Sequence, residues 1–170
     1  DKGIEPVPIS VNISREYIHT FDVVGEMLHL VNKYDIPIKL LELEITETTD
    51  SEGVSDVVQK MKDAGFTMLM DDFGSGYSSL NMLQKTQFDV LKIDRGFLSE
   101  FMESSRGRKI ISHTISMSRD IGLDIIAEGV ETPEQASFLS DCGCDSAQGF
   151  YYSKPITQEE FDKMLVEVNK

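Results

Sequence analysis

The sequence has no long apolar run, few cysteines and few basic residues, and each shortage excludes a class of protein. Its 170 residues include no tryptophan and only two cysteines. No stretch reaches the roughly 18 apolar residues that a membrane span needs, and the N-terminus lacks the pattern of a signal peptide. We therefore expect a cytoplasmic protein, which domains outside this sequence would anchor if it is held at a membrane.

Basic residues are outnumbered, 16 against 30 acidic ones, which gives a net charge of -14. Such a balance argues against a broad basic surface that grips duplex nucleic acid. The excess of carboxylates suits an anionic substrate only where bound cations reverse the local charge. Cys142 and Cys144 lie too close together for a four-ligand zinc pattern, so we expect reduced structural cysteines.

Short apolar segments alternate with longer amphipathic ones along the chain. The predicted strands are 8–14, 40–45, 67–71, 90–94, 124–128 and 146–150. The predicted helices are 15–33, 52–64, 78–85, 107–121, 133–141 and 158–168. Repeated strand and helix units predict an α/β protein with a mostly parallel sheet. Thr132 and Thr157 are predicted helix caps.

Polar residues end the predicted strands at intervals of 20 to 36 residues, which is about one strand-helix unit. These residues are Asn12, Glu44, Asp71, Lys92, Glu128 and Gln148. Asn12 and Glu44 lie on the strand face opposite to the main apolar residues, whereas Asp71, Lys92 and Glu128 each share a face with one apolar residue near the end of the strand. In a closed parallel barrel the active site forms at this end, so the spacing predicts a ring of functional side chains.

The ring is rich in oxygen ligands and contains no histidine or thiol, which suits Mg²⁺ or Mn²⁺. The adjacent carboxylates of Asp71 and Asp72 are suited to two ions, one shared and one held separately. Lys92 is the one cation, and it would orient or help to deprotonate an attacking water or stabilise charge on a phosphate. Singly, each acidic residue is better explained as a solvated surface group. The hypothesis therefore depends on the whole ring.

Six motifs occur in the order of one known family, and by them the chain resembles an EAL domain, a cyclic diguanylate phosphodiesterase. They are Val11-Asn12-Ile13-Ser14, Glu44-Ile45-Thr46-Glu47, Asp71-Asp72-Phe73-Gly74-Ser75-Gly76, Leu91-Lys92-Ile93-Asp94, Ala127-Glu128-Gly129-Val130-Glu131 and Gln148-Gly149-Phe150. The resemblance implies a (β/α)₈ TIM-barrel-like fold that hydrolyses cyclic di-GMP to linear pGpG with two Mg²⁺ or Mn²⁺ ions, in bacterial second-messenger signalling.

The resemblance also implies roles for individual residues. The first ion would be held by Asn12, Glu44 and Asp71, and the second by Asp71, Asp72 and Glu128. Lys92 would position the attacking water, and Glu131 would support the region of Glu128 and Lys92. Asp94 and Gln148 would line the substrate pocket, and Glu47 would anchor the loop after Asp72.

The sequence departs from the family at its start, where neither the Glu-Ala-Leu strand nor its nearby arginine is present. A complete barrel needs roughly 250 residues and eight strands. We therefore expect residues 1–170 to be a partial domain, with about six strands and without the opening ones. The resemblance also implies a possible homodimer and an N-terminal GGDEF or sensory domain in the parent protein.

Two other functions stay open at this point. Some members of the family are inactive receptors that bind cyclic di-GMP without cleaving it, usually after loss of ion ligands. Every expected ligand position within this sequence carries the family's residue, which favours an enzyme. A two-ion barrel that acts on another phosphodiester is the remaining alternative.

Overall fold

The computed structural model describes residues 6–20, 22–46, 53–76 and 79–168, which form six strands, eight α-helices and one short 3₁₀ helix (Ile38–Leu40). The strands are β1 (Ile9–Asn12), β2 (Leu41–Thr46), β3 (Thr67–Phe73), β4 (Val90–Ile93), β5 (Asp124–Ala127) and β6 (Ser146–Ala147). The helices are α1 (Arg15–Thr20), α2 (Val23–Lys33), α3 (Val54–Asp63), α4 (Ser79–Lys85), α5 (Arg95–Met102), α6 (Ser105–Asp120), α7 (Pro133–Asp141) and α8 (Gln158–Val168).

The six strands are parallel and lie in the order β1-β2-β3-β4-β5-β6. Every connection therefore steps to the next neighbour in the same direction. Since such crossovers are right-handed, the helices collect on one face and the sheet curls around the other. The result is a curled half-barrel of the TIM type, which confirms the predicted α/β fold.

Apolar residues of alternate positions fill the space between the sheet and the helices. Leu43, Met68 and Leu91 are fully buried there against α3 side chains such as Met61. A second cluster packs β5 against α5, α6 and α7. Each fully buried leucine or isoleucine contributes roughly 1.5–3 kcal/mol. Because the pleat alternates, this packing sends Glu44, Asp71 and Lys92 to the other face.

The helices differ from the sequence prediction at two places. The predicted helix 15–33 is two helices, and Asp22 caps the second by accepting a hydrogen bond from the Gly25 N–H at 3.1 Å. Helix α5 is not among the predicted helices, although Leu98 and Met102 are buried at helical spacing. The predicted caps at Thr132 and Thr157 are confirmed by their hydrogen bonds.

None of the helices in the described ranges is both long and apolar enough to cross a lipid bilayer.

Candidate active site

Lys92 lies at the centre of the strand ends, surrounded by three carboxylates. Its Nζ is 2.8 Å from Glu44 Oε1, 3.1 Å from Asp71 Oδ1 and 2.6 Å from Glu128 Oε1. The Lys92 side chain is only 8% exposed, and that of Glu44 only 4%. The structure therefore brings four of the predicted residues into one buried ionic group.

Strand register explains this meeting of residues that are far apart in sequence. Glu44, Asp71 and Lys92 come from the consecutive strands β2, β3 and β4, and Glu128 follows β5 directly. The Glu128 N–H donates to the Ile93 carbonyl at 3.0 Å, which extends the parallel ladder by one residue. All four side chains thus leave the sheet at its carboxyl edge, on the face away from the helices.

An irregularity in β3 places both aspartates at this edge. Met70 pairs with Leu91 and Phe73 pairs with Ile93. Two residues of β3, Asp71 and Asp72, therefore lie opposite a single residue of β4, Lys92. This is a β-bulge, in which one extra residue re-aims the side chains. Asp72 has a left-handed backbone with φ of 60°, which a regular strand does not allow. Adjacent carboxylates, which a flat strand would send to opposite faces, can therefore serve one site.

The buried group perturbs the acid-base behaviour of its members. Burial alone would lower the pKa of Lys92, but its contacts with Glu128 and Glu44 and the charges of Glu128 and Asp71 raise that pKa well above the ordinary range. Burial raises the pKa of Glu128, against the opposing effect of Lys92. Burial and the neighbouring charges of Asp71 and Asp94 raise the pKa of Asp72. Burial is thus the largest influence on all three groups: it raises the pKa of both carboxyls and opposes the rise at Lys92.

The donor set fits a hard divalent cation. Four carboxylates meet one ammonium, which leaves three negative charges uncompensated. Among the described residues, Glu44 Oε1 is the buried side-chain oxygen without a hydrogen bond, because its contact with Lys92 is close but not aligned as one. As the side chains stand, no group of three acidic, histidine or cysteine residues in the described ranges is arranged around an ion position. Lys92 Nζ lies between the carboxylates instead.

The remaining predicted residues surround this group at different depths. Asn12 is exposed at the end of β1, opposite Glu44 in the strand register. Gln148 donates from Nε2 to Glu128 Oε1 at 2.7 Å and so joins the group directly. The Glu131 carboxylate pairs with Arg95 at 2.7 Å, and its side chain is 44% exposed. Asp94 accepts from the Gly96 and Phe97 N–H groups as the cap of α5. Glu47 lies outside the described residues.

A cavity of about 530 Å³ adjoins Glu128 and Gln148 and includes a residue that the sequence analysis did not single out, Arg95. The apolar part of its lining includes Phe150, Ile156 and Phe161 of α8. A cation beside an apolar wall suits a flat group that carries a phosphate. The position of Arg95 directly after Asp94 was the available signal, since it follows a strand end.

Comparison with known proteins places these residues in a described family. Residues 1–155 match the model of the EAL domain. The cyclic di-GMP phosphodiesterase NbdA of Pseudomonas aeruginosa is 31% identical over 166 residues, which are 96% of this chain and 21% of NbdA. The chain thus spans about a fifth of that relative's length.

Solved structures agree in fold. The PaMucR phosphodiesterase of Pseudomonas aeruginosa in complex with c-di-GMP superposes with a TM-score of 0.83 at 34% identity, over 91% of this chain and 64% of that one. BlrP1 of Klebsiella pneumoniae, solved with manganese and cy-diGMP, has a TM-score of 0.80 at 28% identity, over 87% of this chain and 39% of that one.

Proposed function

The chain belongs to the EAL domain family, and we propose that it hydrolyses cyclic di-GMP to linear pGpG with two divalent cations, as part of bacterial second-messenger signalling. The observation that carries this proposal is the buried group of Glu44, Asp71, Lys92 and Glu128 at four successive strand ends. The activity for which NbdA is named supports the choice of substrate.

The all-oxygen donor set would hold the ions. Asn12, Glu44 and Asp71 are assigned to the first, and Asp71, Asp72 and Glu128 to the second. The bulge at Asp71 and Asp72 favours this division, because it turns two neighbouring carboxylates to one edge. Bound there, Mg²⁺ or Mn²⁺ supplies positive charge that offsets the anionic substrate and activates water near neutral pH.

The other residues orient the reactants. Lys92 donates a hydrogen bond to the attacking water, and its three carboxylate neighbours fix where its ammonium points. Gln148 holds the Glu128 carboxylate through their 2.7 Å hydrogen bond, and with Asp94 it borders the substrate. Glu131 supports this region through its ion pair with Arg95. Glu47 is assigned to anchoring the loop after Asp72.

The main alternative is an inactive receptor for cyclic di-GMP. Such a protein keeps the nucleotide site and lacks an ion ligand, whereas Glu44, Asp71, Asp72 and Glu128 are all acidic here. A homodimer and an upstream GGDEF or sensory domain are further predictions for the whole protein.

The test is mass detection of pGpG after incubation of cyclic di-GMP with the protein and Mn²⁺. The 170-residue chain is compared with a version extended at its N-terminus by the Glu-Ala-Leu strand. We expect product from the extended version and little from the shorter chain, since the first ion site lacks a carboxylate without that strand. Ca²⁺ should inhibit, because its longer bonds and flexible coordination distort the geometry of attack.

The outcomes separate the alternatives. Equal turnover with Ca²⁺, or turnover after thorough chelation, would rule out the two-ion mechanism. Nucleotide binding without any cleavage by the extended version would favour the receptor. Cleavage of other phosphodiesters at the same rate would favour a broader phosphodiesterase.

A further inference from the structure

The backbone that carries Asp71 and Asp72 is irregular, and something must hold it. Asp72 has φ of 60° and Gly74 has φ of 98°, so two left-handed residues lie within three positions. A left-handed non-glycine residue is strained and persists only where its surroundings fix it. The Ser75 N–H donates to the Asp72 carbonyl at 3.1 Å, which closes this turn from within.

The start of α5 contacts this segment twice at Phe73, once through the Phe73 backbone carbonyl and once through the Phe73 ring. The Asp94 N–H donates to the Phe73 carbonyl at 3.2 Å. The Phe97 ring meets the Phe73 ring edge to face, with centroids 6.1 Å apart. Phe97 also lies directly over Gly74, where a Cβ atom would come within 2.4 Å of Phe97 Cδ2. The space that a side chain at position 74 would need is therefore occupied by Phe97.

Helix α5 is itself firmly held, so the contact with Phe97 is a fixed one. Phe97 stacks on Phe101 with centroids 4.4 Å apart. Behind Phe101, a Cβ atom at Gly107 of α6 would lie 2.0 Å from the Phe101 carbonyl oxygen, which shows how closely the two helices approach. Leu98 and Met102 anchor the opposite side of α5 in the core.

We propose that Phe97 is a positioning residue for the ion site: its ring fixes the 72–74 backbone so that Asp71 and Asp72 both face Lys92. The role of Asp71 and Asp72 as ion ligands rests on the proposed function. The role of Phe97 in holding the 72–74 backbone does not. A merely structural Phe97 would affect the stability of the protein and nothing else. A positioning Phe97 also affects the affinity for the ion and the turnover number.

The test compares Phe97→Leu with Phe101→Leu in the extended version of the chain. Both variants shorten a ring of the same stack, but only Phe97 touches residues 73 and 74. We expect similar losses of thermal stability. Phe97→Leu alone should weaken Mn²⁺ binding in calorimetry by about 10- to 100-fold, the effect usual for groups that orient metal ligands. Its kcat should fall while KM for cyclic di-GMP changes little.

A readout without ion or substrate keeps this inference separate from the proposed function. Hydrogen exchange at the Ser75 amide reports the turn directly, and it should speed up in Phe97→Leu and not in Phe101→Leu. If the unaltered protein binds no Mn²⁺, the proposed function fails while the exchange result still decides the role of Phe97. Equal Mn²⁺ affinity and equal Ser75 exchange in the two variants would overturn the inference.

Gly74→Ala tests the same contact from the other side and leaves α5 intact, should Phe97→Leu fail to fold. The added methyl group meets the Phe97 ring, so we expect weaker Mn²⁺ binding. The double variant Gly74→Ala with Phe97→Ala should lose less than the sum of the two single changes, because alanine lacks the Cγ and Cδ2 atoms that meet the added methyl group. Strict additivity, or unchanged Mn²⁺ affinity in Gly74→Ala, would contradict a positioning contact.

Discussion

The centre of the sheet and its first edge carry the same kind of sequence but differ in what surrounds them. On β2, Leu43 is fully buried, whereas on β1 its register partner Val11 is 44% exposed and Ile9 is 62% exposed. The described residues pair β1 with β2 alone. Alternating apolar residues are therefore enough to form a strand, but burial of its side chains requires a neighbouring strand on each side.

The polar residues repeat this difference. Glu44, at the centre, is buried and in contact with Lys92. Asn12, its register partner at the edge, is exposed. The comparison teaches that the ionic group is a property of the inner strands, and four variants sharpen it.

Asp71→Asn should have the largest effect, because it removes a ligand assigned to both ions. In the extended version, hydrolysis of cyclic di-GMP and Mn²⁺ binding should be lost together. The matched control is Asp63→Asn at the exposed end of α3, which should change neither. Retained ion binding in Asp71→Asn would remove Asp71 from the shared position.

Lys92→Met leaves three carboxylates buried without their cation. We expect the free energy of unfolding to fall by about 3–5 kcal/mol, as for a broken buried ion pair. Mn²⁺ should restore part of this loss by binding the folded state. The control Lys62→Met removes the partly exposed pair with Asp89 and should cost only about 0–1 kcal/mol.

The same Lys92→Met variant separates water positioning from substrate anchoring. Hydrolysis should fall at least about 10²-fold, the lower range for a group that acts on a proton. Calorimetry should show that nucleotide binding is retained. Loss of nucleotide binding would reassign Lys92 to the substrate.

Gly149→Ala probes the more exposed side of the site, next to Gln148. A Cβ atom there would lie 2.2 Å from the Val130 carbonyl oxygen, and a backbone atom gives way less easily than a side chain. We expect about 3 kcal/mol of destabilisation in denaturant titration, at the upper end of overpacking costs. Gly122→Ala, where the space is open, should cost only about 1 kcal/mol for its left-handed backbone. Equal costs would contradict the close approach at Gly149.

In the 170-residue chain, Ile9→Lys should have the smallest effect, because the side chain is already exposed on β1. Stability should change by less than about 0.5 kcal/mol, whereas Leu43→Ala on β2 should cost about 2–5 kcal/mol. A lysine on an open edge also discourages strand pairing between molecules. Sedimentation should show less self-association, and a large loss of stability in Ile9→Lys would mean that the edge is covered.

Sequence patterns predicted most helices and strands, but they failed where one residue belongs to two patterns or where a turn shortens a strand. The capped helices α7 and α8 were predicted with their observed bounds, since a cap fixes the first turn locally. Helix α5 was not predicted, because its N-terminal cap, Asp94, is also the last residue of the apolar β4 pattern. Strand β6 has two residues instead of the predicted five, as Gly149 turns the chain after Gln148.

The sequence by itself determined the family, the fold class and the set of polar residues that end the strands, since a pleated strand alternates its faces whatever its partners are. Only the tertiary structure decided how those residues meet. The bulge that turns Asp71 and Asp72 to one edge, the central place of Lys92 among the carboxylates and the contact of Phe97 with Gly74 all depend on register between segments distant in sequence. Local patterns do not encode that register, because it is set by packing across the whole sheet.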